Sequence, residues 1–229
     1  MRIVQLTPGL HVTEELDPGV EFNVRPWMSA AALRQAAAAG AHVLDTIDGP
    51  SARHSDAGAL AEGADVVVIA PQSTPAPGDE SRIRLLATSL VASLAARAPS
   101  AHTVLVSHFL VGHGRAHPNA KAGTWGLHEF ERALRSTSLS WTIVRPTWLS
   151  LEPDTRAYSV HASQSPLVDG LVSAHGLAAT IIAAARERTA AQGTTFGIYA
   201  TPPEAGGVSL PRFAELRKDR EFLRERVLT

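Results

Sequence analysis

The chain has 229 residues and a mass of 24.2 kDa, with 45% apolar and 19% charged residues, which suits one folded domain with a large core and excludes a disordered chain. Lys+Arg 21 against Asp+Glu 22 leaves a net charge of −1, so no basic excess points to nucleic acid. The absence of cysteine excludes disulfides, thiol nucleophiles, iron–sulfur clusters and cysteine-ligated zinc. No apolar run reaches the roughly 18 residues of a spanning helix, and no signal-peptide pattern opens the chain. A cytoplasmic protein acting on a small molecule, with neither membrane nor nucleic acid as partner, is expected.

In chain order, residues 1–6 read as a strand, stopped by Pro8 and Gly9. Residues 20–24 read as a second strand, ended at Arg25 and Pro26. Ser29 can cap a helix over 30–39, with Gly40 as its stop. A third strand follows at 42–47 and a short helix at 57–63. Residues 64–70 carry an uninterrupted apolar run, the signature of a strand buried on both faces of a parallel sheet. A loop at 71–78 leads to a long helix over 80–97, a strand over 102–109 and a helix over 125–135. Strands at 141–149 and 195–200 flank a helix at 171–186, and residues 211–227 read as a charged amphipathic helix. Strands alternating with helices imply βαβ units and a parallel sheet. The fold class is therefore α/β, a doubly wound parallel sheet in a single domain over 1–205, with a helical tail over 206–229.

Residues 138–149, SLSWTIVRPTWL, resemble a segment of the atypical short-chain dehydrogenase/reductases, the NmrA-like NAD(P)-binding proteins. Residues 63–68 (GADVVV), 104–107 (VLVS) and 130–135 (FERALR) are similar to that family's fourth strand, fifth strand and following helix. The resemblance covers most of residues 20–205 and implies a Rossmann-like fold. It further implies that Arg25 and Asp45 stand where the family grips the adenosine end of a dinucleotide.

Two departures bear on function. Such proteins open the first helix with a glycine-rich turn whose backbone N–H groups hold the cofactor pyrophosphate. Here residues 7–19 keep only Gly9 as a loop glycine before Gly19, and Glu14, Glu15 and Asp17 would repel a phosphate. A first helix much shortened or absent, and no dinucleotide cofactor, are expected on this ground. The family's Tyr and Lys, four apart on the helix after strand five, fall on Gly123 and Leu127, which cannot move a proton.

Ligands of a doubly wound sheet bind outside the carboxyl ends of its strands, which directs attention to His108, His113, His117 and His128. A histidine in a cleft suits acid–base work near neutrality. His108 and His128 are the candidate catalytic groups, and Ser107 can orient an imidazole beside it. Gln72, Ser73, His113, Trp125 and Trp148 are candidate substrate contacts, tryptophan supplying area and one donor. No metal site is expected, since no cysteine or intervening carboxylate completes a ligand set around His113 and His117. Leu210, Phe213, Leu216, Leu223 and Val227 fall on one stripe of the tail, which packs on its own domain or on a second copy in a homodimer. Three functions remain open. The preferred one is a cofactor-independent isomerase, cyclase or dehydrating enzyme on a degenerate dehydrogenase scaffold, of the kind recruited to secondary metabolism. The others are an NADP(H)-dependent oxidoreductase and a non-enzymatic ligand sensor.

Overall fold

Val66–Ile69 is buried at every position, and so is His102–Val106. A strand with no solvent face must lie inside a sheet covered on both sides, and the rest of the architecture follows from that. The computed structural model describes residues 1–7, 26–40, 42–48, 55–71, 80–113, 124–150, 158–203 and 207–220. Its elements are β1 (Arg2–Thr7), α1 (Pro26–Ala39), β2 (Val43–Asp48), α2 (Ser55–Leu60), β3 (Val66–Ile69), α3 (Glu80–Arg97), β4 (His102–Val106), α4 (Leu110–His113), α5 (Thr124–Arg135), β5 (Ser140–Pro146), β6 (Trp148–Ser150), β7 (Ser159–Ser163), β8 (Leu171–Ser173), α6 (Ala174–Arg186), α7 (Arg188–Ala191) and β9 (Thr194–Thr201).

The main sheet runs β2-β1-β3-β4-β5-β9-β7, parallel except for β7, which pairs antiparallel with β9. This is a doubly wound, Rossmann-like α/β domain. Helices α2, α3 and α5 cover one face, over a core that includes Leu90, Phe130 and Trp141. Helices α1 and α6 cover the other, over Leu33, Leu177 and Phe196. α2 approaches α3 so closely at Gly58 that an added Cβ would lie 2.4 Å from the Ser93 carbonyl oxygen.

Several expectations from the sequence need correction. The strand read over 20–24 lies outside the described residues. β2 pairs directly with β1, and the crossover between them is the 14-residue helix α1, neither shortened nor absent. It starts at Pro26 rather than after a Ser29 cap, because proline is pre-set for the first helical turn, where its missing N–H goes unneeded. Leu171–Ser173 is a strand paired with β6, and Ser173 caps α6 by accepting from the Gly176 N–H. The tail carries a 3-10 turn at Phe213–Glu215, and residues 216–219 are not helical. Phe213 is fully buried against Phe196, so this residue of the stripe packs on its own domain.

One buried carboxylate ties three elements of this sheet together. α5 buries Leu127, Phe130, Glu131 and Leu134, a helical stripe in which one position is charged. Glu131 accepts from Ser107 Oγ at 2.6 Å, from Arg145 Nε at 2.8 Å and from Arg145 Nη2 at 2.6 Å. Arg135 Nη1 stands 3.0 Å away on the same helix. Burial pushes the Glu131 carboxyl up, but the Arg145 hydrogen bonds and charge, the Arg135 charge and the Ser107 bond together hold it below the usual range. Arg135 also meets Asp219 at 3.2 Å, and Asp219 accepts from the Thr195 N–H. Lys218 donates to the carbonyls of Ala190 and Gln192 at the end of α7. The chain after β9 is thus laced onto the domain.

At the amino end of β4, His102 is buried between Ser140 Oγ at 2.9 Å and Thr142 Oγ1 at 3.0 Å. Thr142 donates its own hydrogen to Ala191 O, so it accepts from His102 Nε2–H. Burial, then the charges of Arg188 and Lys218, push the imidazole down to about 3.

Two outcomes follow for stability. An unfolded His102 binds its proton near 6.5 and the folded one only near 3. The unfolded chain therefore holds the extra proton between those values, and acid favours unfolding. The stability present above pH 6.5 should fall toward pH 3 by up to ~1.4 kcal/mol per pH unit from this group. Urea unfolding across that range checks it, and His102→Gln should flatten the slope. Glu131→Ala leaves two arginines and a serine facing an uncharged site and should lower the unfolding free energy by about 3–5 kcal/mol. Glu131→Gln, which keeps an acceptor for Ser107, should lower it less.

Candidate functional site

The carboxyl ends of parallel strands form one edge of this sheet, and the residues just past β4 lie on it. Ser107 N–H donates to Val144 O and Phe109 N–H to Pro146 O, which extends the β4–β5 pairing and fixes where this edge points. Ser107 is fully buried, and its hydroxyl donates to Glu131. The serine is thus part of the packing under the edge, and its hydrogen is directed away from the neighbouring imidazole.

His108 is 8% exposed. Its Nδ1 accepts from the Leu110 N–H at 3.2 Å, so Nδ1 carries no hydrogen and the neutral ring carries it on Nε2. The ring lies 5.7 Å from Trp148 in an edge-to-face arrangement and 4.8 Å from Phe109, and Phe109 meets Trp148 edge-on at 5.0 Å. Two sequence candidates, His108 and Trp148, are brought together in an aromatic cluster. Within it Phe109 is fully buried, and the edge-to-face packing fixes the half-buried Trp148 beside the imidazole.

The other candidates fall elsewhere. His128 is exposed on α5, two residues before Phe130, which is in the core. Asp45 is the third residue of β2 and pairs with Arg2 Nε at 3.1 Å, both side chains well exposed; it does not stand at the carboxyl end of its strand. Leu127, at the family's lysine position, is buried in the stripe of α5. Gln72, Ser73, His117, Gly123 and Arg25 lie outside the described residues, as do the side chains of His113 and Trp125.

Sequence reasoning passed over Glu131 and Arg145. The signal was present in both. An arginine inside the apolar strand Ser140–Pro146 needs a carboxylate, and the inward stripe of α5 contains one.

The amino end of α1 bears on the cofactor. Because β1 and β2 are parallel, the helix between them runs back across the sheet and starts at the carboxyl edge. The first helical turn leaves backbone N–H groups unpaired and a positive dipole end, and α1 has no acidic residue there. That donor set fits a pyrophosphate. Glu14, Glu15 and Asp17 precede the helix rather than forming its first turn.

Comparison with known proteins agrees with this geometry. A putative NAD-dependent epimerase/dehydratase from Bacillus halodurans superposes with a TM-score of 0.63 at 18% identity, over 94% of this chain and 97% of that one. ChuY, an anaerobillin reductase from Escherichia coli O157:H7, gives 0.61 at 15% identity, over 89% and 99%. A short-chain dehydrogenase/reductase (wide type) from Veillonella parvula DSM 2008 in complex with NADP gives 0.53 at 16% identity, over 90% and 95%. These likenesses establish the fold. Among curated proteins no sequence match is found.

The sequence profile of the NAD(P)H-binding family matches residues 9–188. It overturns the expectation that no dinucleotide cofactor binds, which rested on the missing glycines and on a first helix that proves to be full length. The cofactor-independent isomerase or cyclase loses its basis with it. With its doubly wound sheet, its first helix opening on the carboxyl edge and its matching profile, the chain belongs to the NAD(P)H-binding family.

Proposed function

We propose that this protein is an NAD(P)H-dependent oxidoreductase that reduces a carbonyl group of a small, partly apolar molecule at the β4–β5 edge. The family profile over residues 9–188 is the observation that carries the reading. The backbone N–H groups of the first turn of α1 would hold the pyrophosphate. When bound, the nicotinamide supplies the hydride.

His108 supplies the polar group for the substrate oxygen. With Nδ1 accepting from the Leu110 N–H, the hydrogen of the neutral ring sits on Nε2, the nitrogen that would face a substrate oxygen. Protonating the ring would set two N–H groups against each other at Nδ1, so the ring works as a neutral hydrogen-bond donor. It steadies negative charge developing on the oxygen, and solvent completes the alcohol. This role differs from proton abstraction, and it suits a site whose Tyr and Lys positions are Gly123 and Leu127. Trp148, half-buried and held edge-on by Phe109 beneath it, provides the apolar surface against which a substrate packs.

A second reading, a dinucleotide sensor without turnover, is favoured by the burial of Leu127 where the family carries its lysine. The two readings part on whether bound NAD(P)H is consumed.

Calorimetric titration should give a micromolar dissociation constant for NADH or NADPH, equivalent to roughly −7 to −8 kcal/mol. Binding weaker than about 1 mM for both would sink the proposal. Against a carbonyl panel followed by NAD(P)H oxidation, His108→Ala should lower kcat by roughly 10²–10³, the usual worth of one oxyanion donor, at unchanged cofactor affinity. His128→Ala should match the parent, because that ring is exposed on α5. Undiminished turnover in His108→Ala would remove this histidine from the mechanism.

A further inference from the structure

Arg145 is the next-to-last residue of a strand whose other members are mostly buried and uncharged. Two of its three guanidinium nitrogens are committed: Nε and Nη2 grip the two oxygens of Glu131 as a fork. The third, Nη1, has no hydrogen-bond partner among the described residues. The fork keeps the side chain from swinging away, so Nη1 and its two hydrogens hold a fixed place.

Gly112 marks that place. A Cβ added there would stand 2.9 Å from Arg145 Nη1 and 3.7 Å from the Pro166 backbone. Nη1 therefore lies beside Gly112 of α4, and Gly112, four residues after His108, faces the turn before β8. The Arg145 side chain keeps 19% exposure although Glu131 is fully buried. Glycine at 112 keeps the approach clear.

We infer that Arg145 Nη1 is the anchor for an anionic oxygen, and that the substrate of the proposed reductase carries a carboxylate beside its reducible carbonyl. This rests on the reading of the β4–β5 edge as the substrate side. The cofactor's own phosphates do not compete for the anchor. They belong with α1 beside β1, and in the sheet β3 and β4 separate β1 from β5. A guanidinium keeps its charge at any working pH. Its local field is modest, however, because Glu131 and Asp219 already balance Arg145 and Arg135. The anchor thus selects an anion through one charge-assisted hydrogen-bonding nitrogen rather than by bulk attraction, which sets the preference at about tenfold over a neutral isostere.

Benzoate and benzamide, a planar monoanion and its neutral isostere, test this directly. Each is titrated into the protein with and without saturating NADP⁺. Heat and the Arg145 side-chain ¹H–¹⁵N resonances are followed. Benzoate should bind at least about tenfold more tightly than benzamide and shift the Arg145 signals. Gly112→Ala should bring the two within about twofold, with NADP⁺ affinity close to the parent's. Arg145→Lys, which keeps a cation for Glu131 but loses the fork, should also abolish the preference. Equal affinities, benzoate binding that leaves the Arg145 signals unmoved, or no benzoate binding up to about 50 mM would overturn the inference. So would a preference that survives in Gly112→Ala. Failure of NADP⁺ to bind is a separate result: it counts against the reductase, while the titration without NADP⁺ still reads the anchor.

Discussion

A carboxylate with no solvent exposure costs several kcal/mol to bury unless every lone pair is met. Glu131 meets that condition with a serine from the end of β4, an arginine from β5 and an arginine from its own helix. Three elements are thereby held in one mutual arrangement, since sliding any of them would strand a charge in the core. An apolar contact tolerates small shifts, whereas this one does not. The edge carrying His108 inherits its rigidity from that constraint. The same fork that fixes Arg145 leaves its third nitrogen out of the ion pair.

Much of the fold was readable from local pattern. The apolar run at Val66–Ile69 and the helix Glu80–Arg97 stand where hydrophobic order and length put them. The strands that went unread are short or lie at the sheet's edge. Ser159–Ser163 offers only Val160 as a buried apolar side chain, with Ala162 partly buried, too little apolar signal to separate a strand from a loop. Leu171–Ser173 ran on into a helical pattern and was absorbed by it, although Ser173 is a good cap. The tail shows the opposite failure. A convincing stripe of apolar residues meets contacts at Phe213, Lys218 and Asp219 that a continuous helix does not provide.

The site was readable in part, and for an identifiable reason. His108 and Trp148 follow two strands that are hydrogen-bonded neighbours, so topology alone brings them near each other. Glu131 and Arg145 meet only once α5 packs on β5, and no spacing rule links a helix residue to a strand residue across an intervening turn. The cofactor was misjudged from the missing glycines and from the expectation that the first helix starts straight after the first glycine. Pro26 delays it, and the acidic residues that looked disqualifying precede its first turn.

The order of the strands carries a consequence for synthesis. β7 has β9 as its sheet neighbour, yet β9 leaves the ribosome after it. The nascent chain must hold β7 unpaired until β9 arrives to fill the position between it and β5. Asp219, the partner of Arg135 and of the Thr195 N–H, emerges later still. The ion network under the edge that carries His108 is therefore closed only after β9 is made. A chain that stops short of Asp219 carries β1 through β9 but keeps an arginine beside the core with one counter-charge missing. Quality control acting on the newly made protein would meet that defect close to the β4–β5 edge.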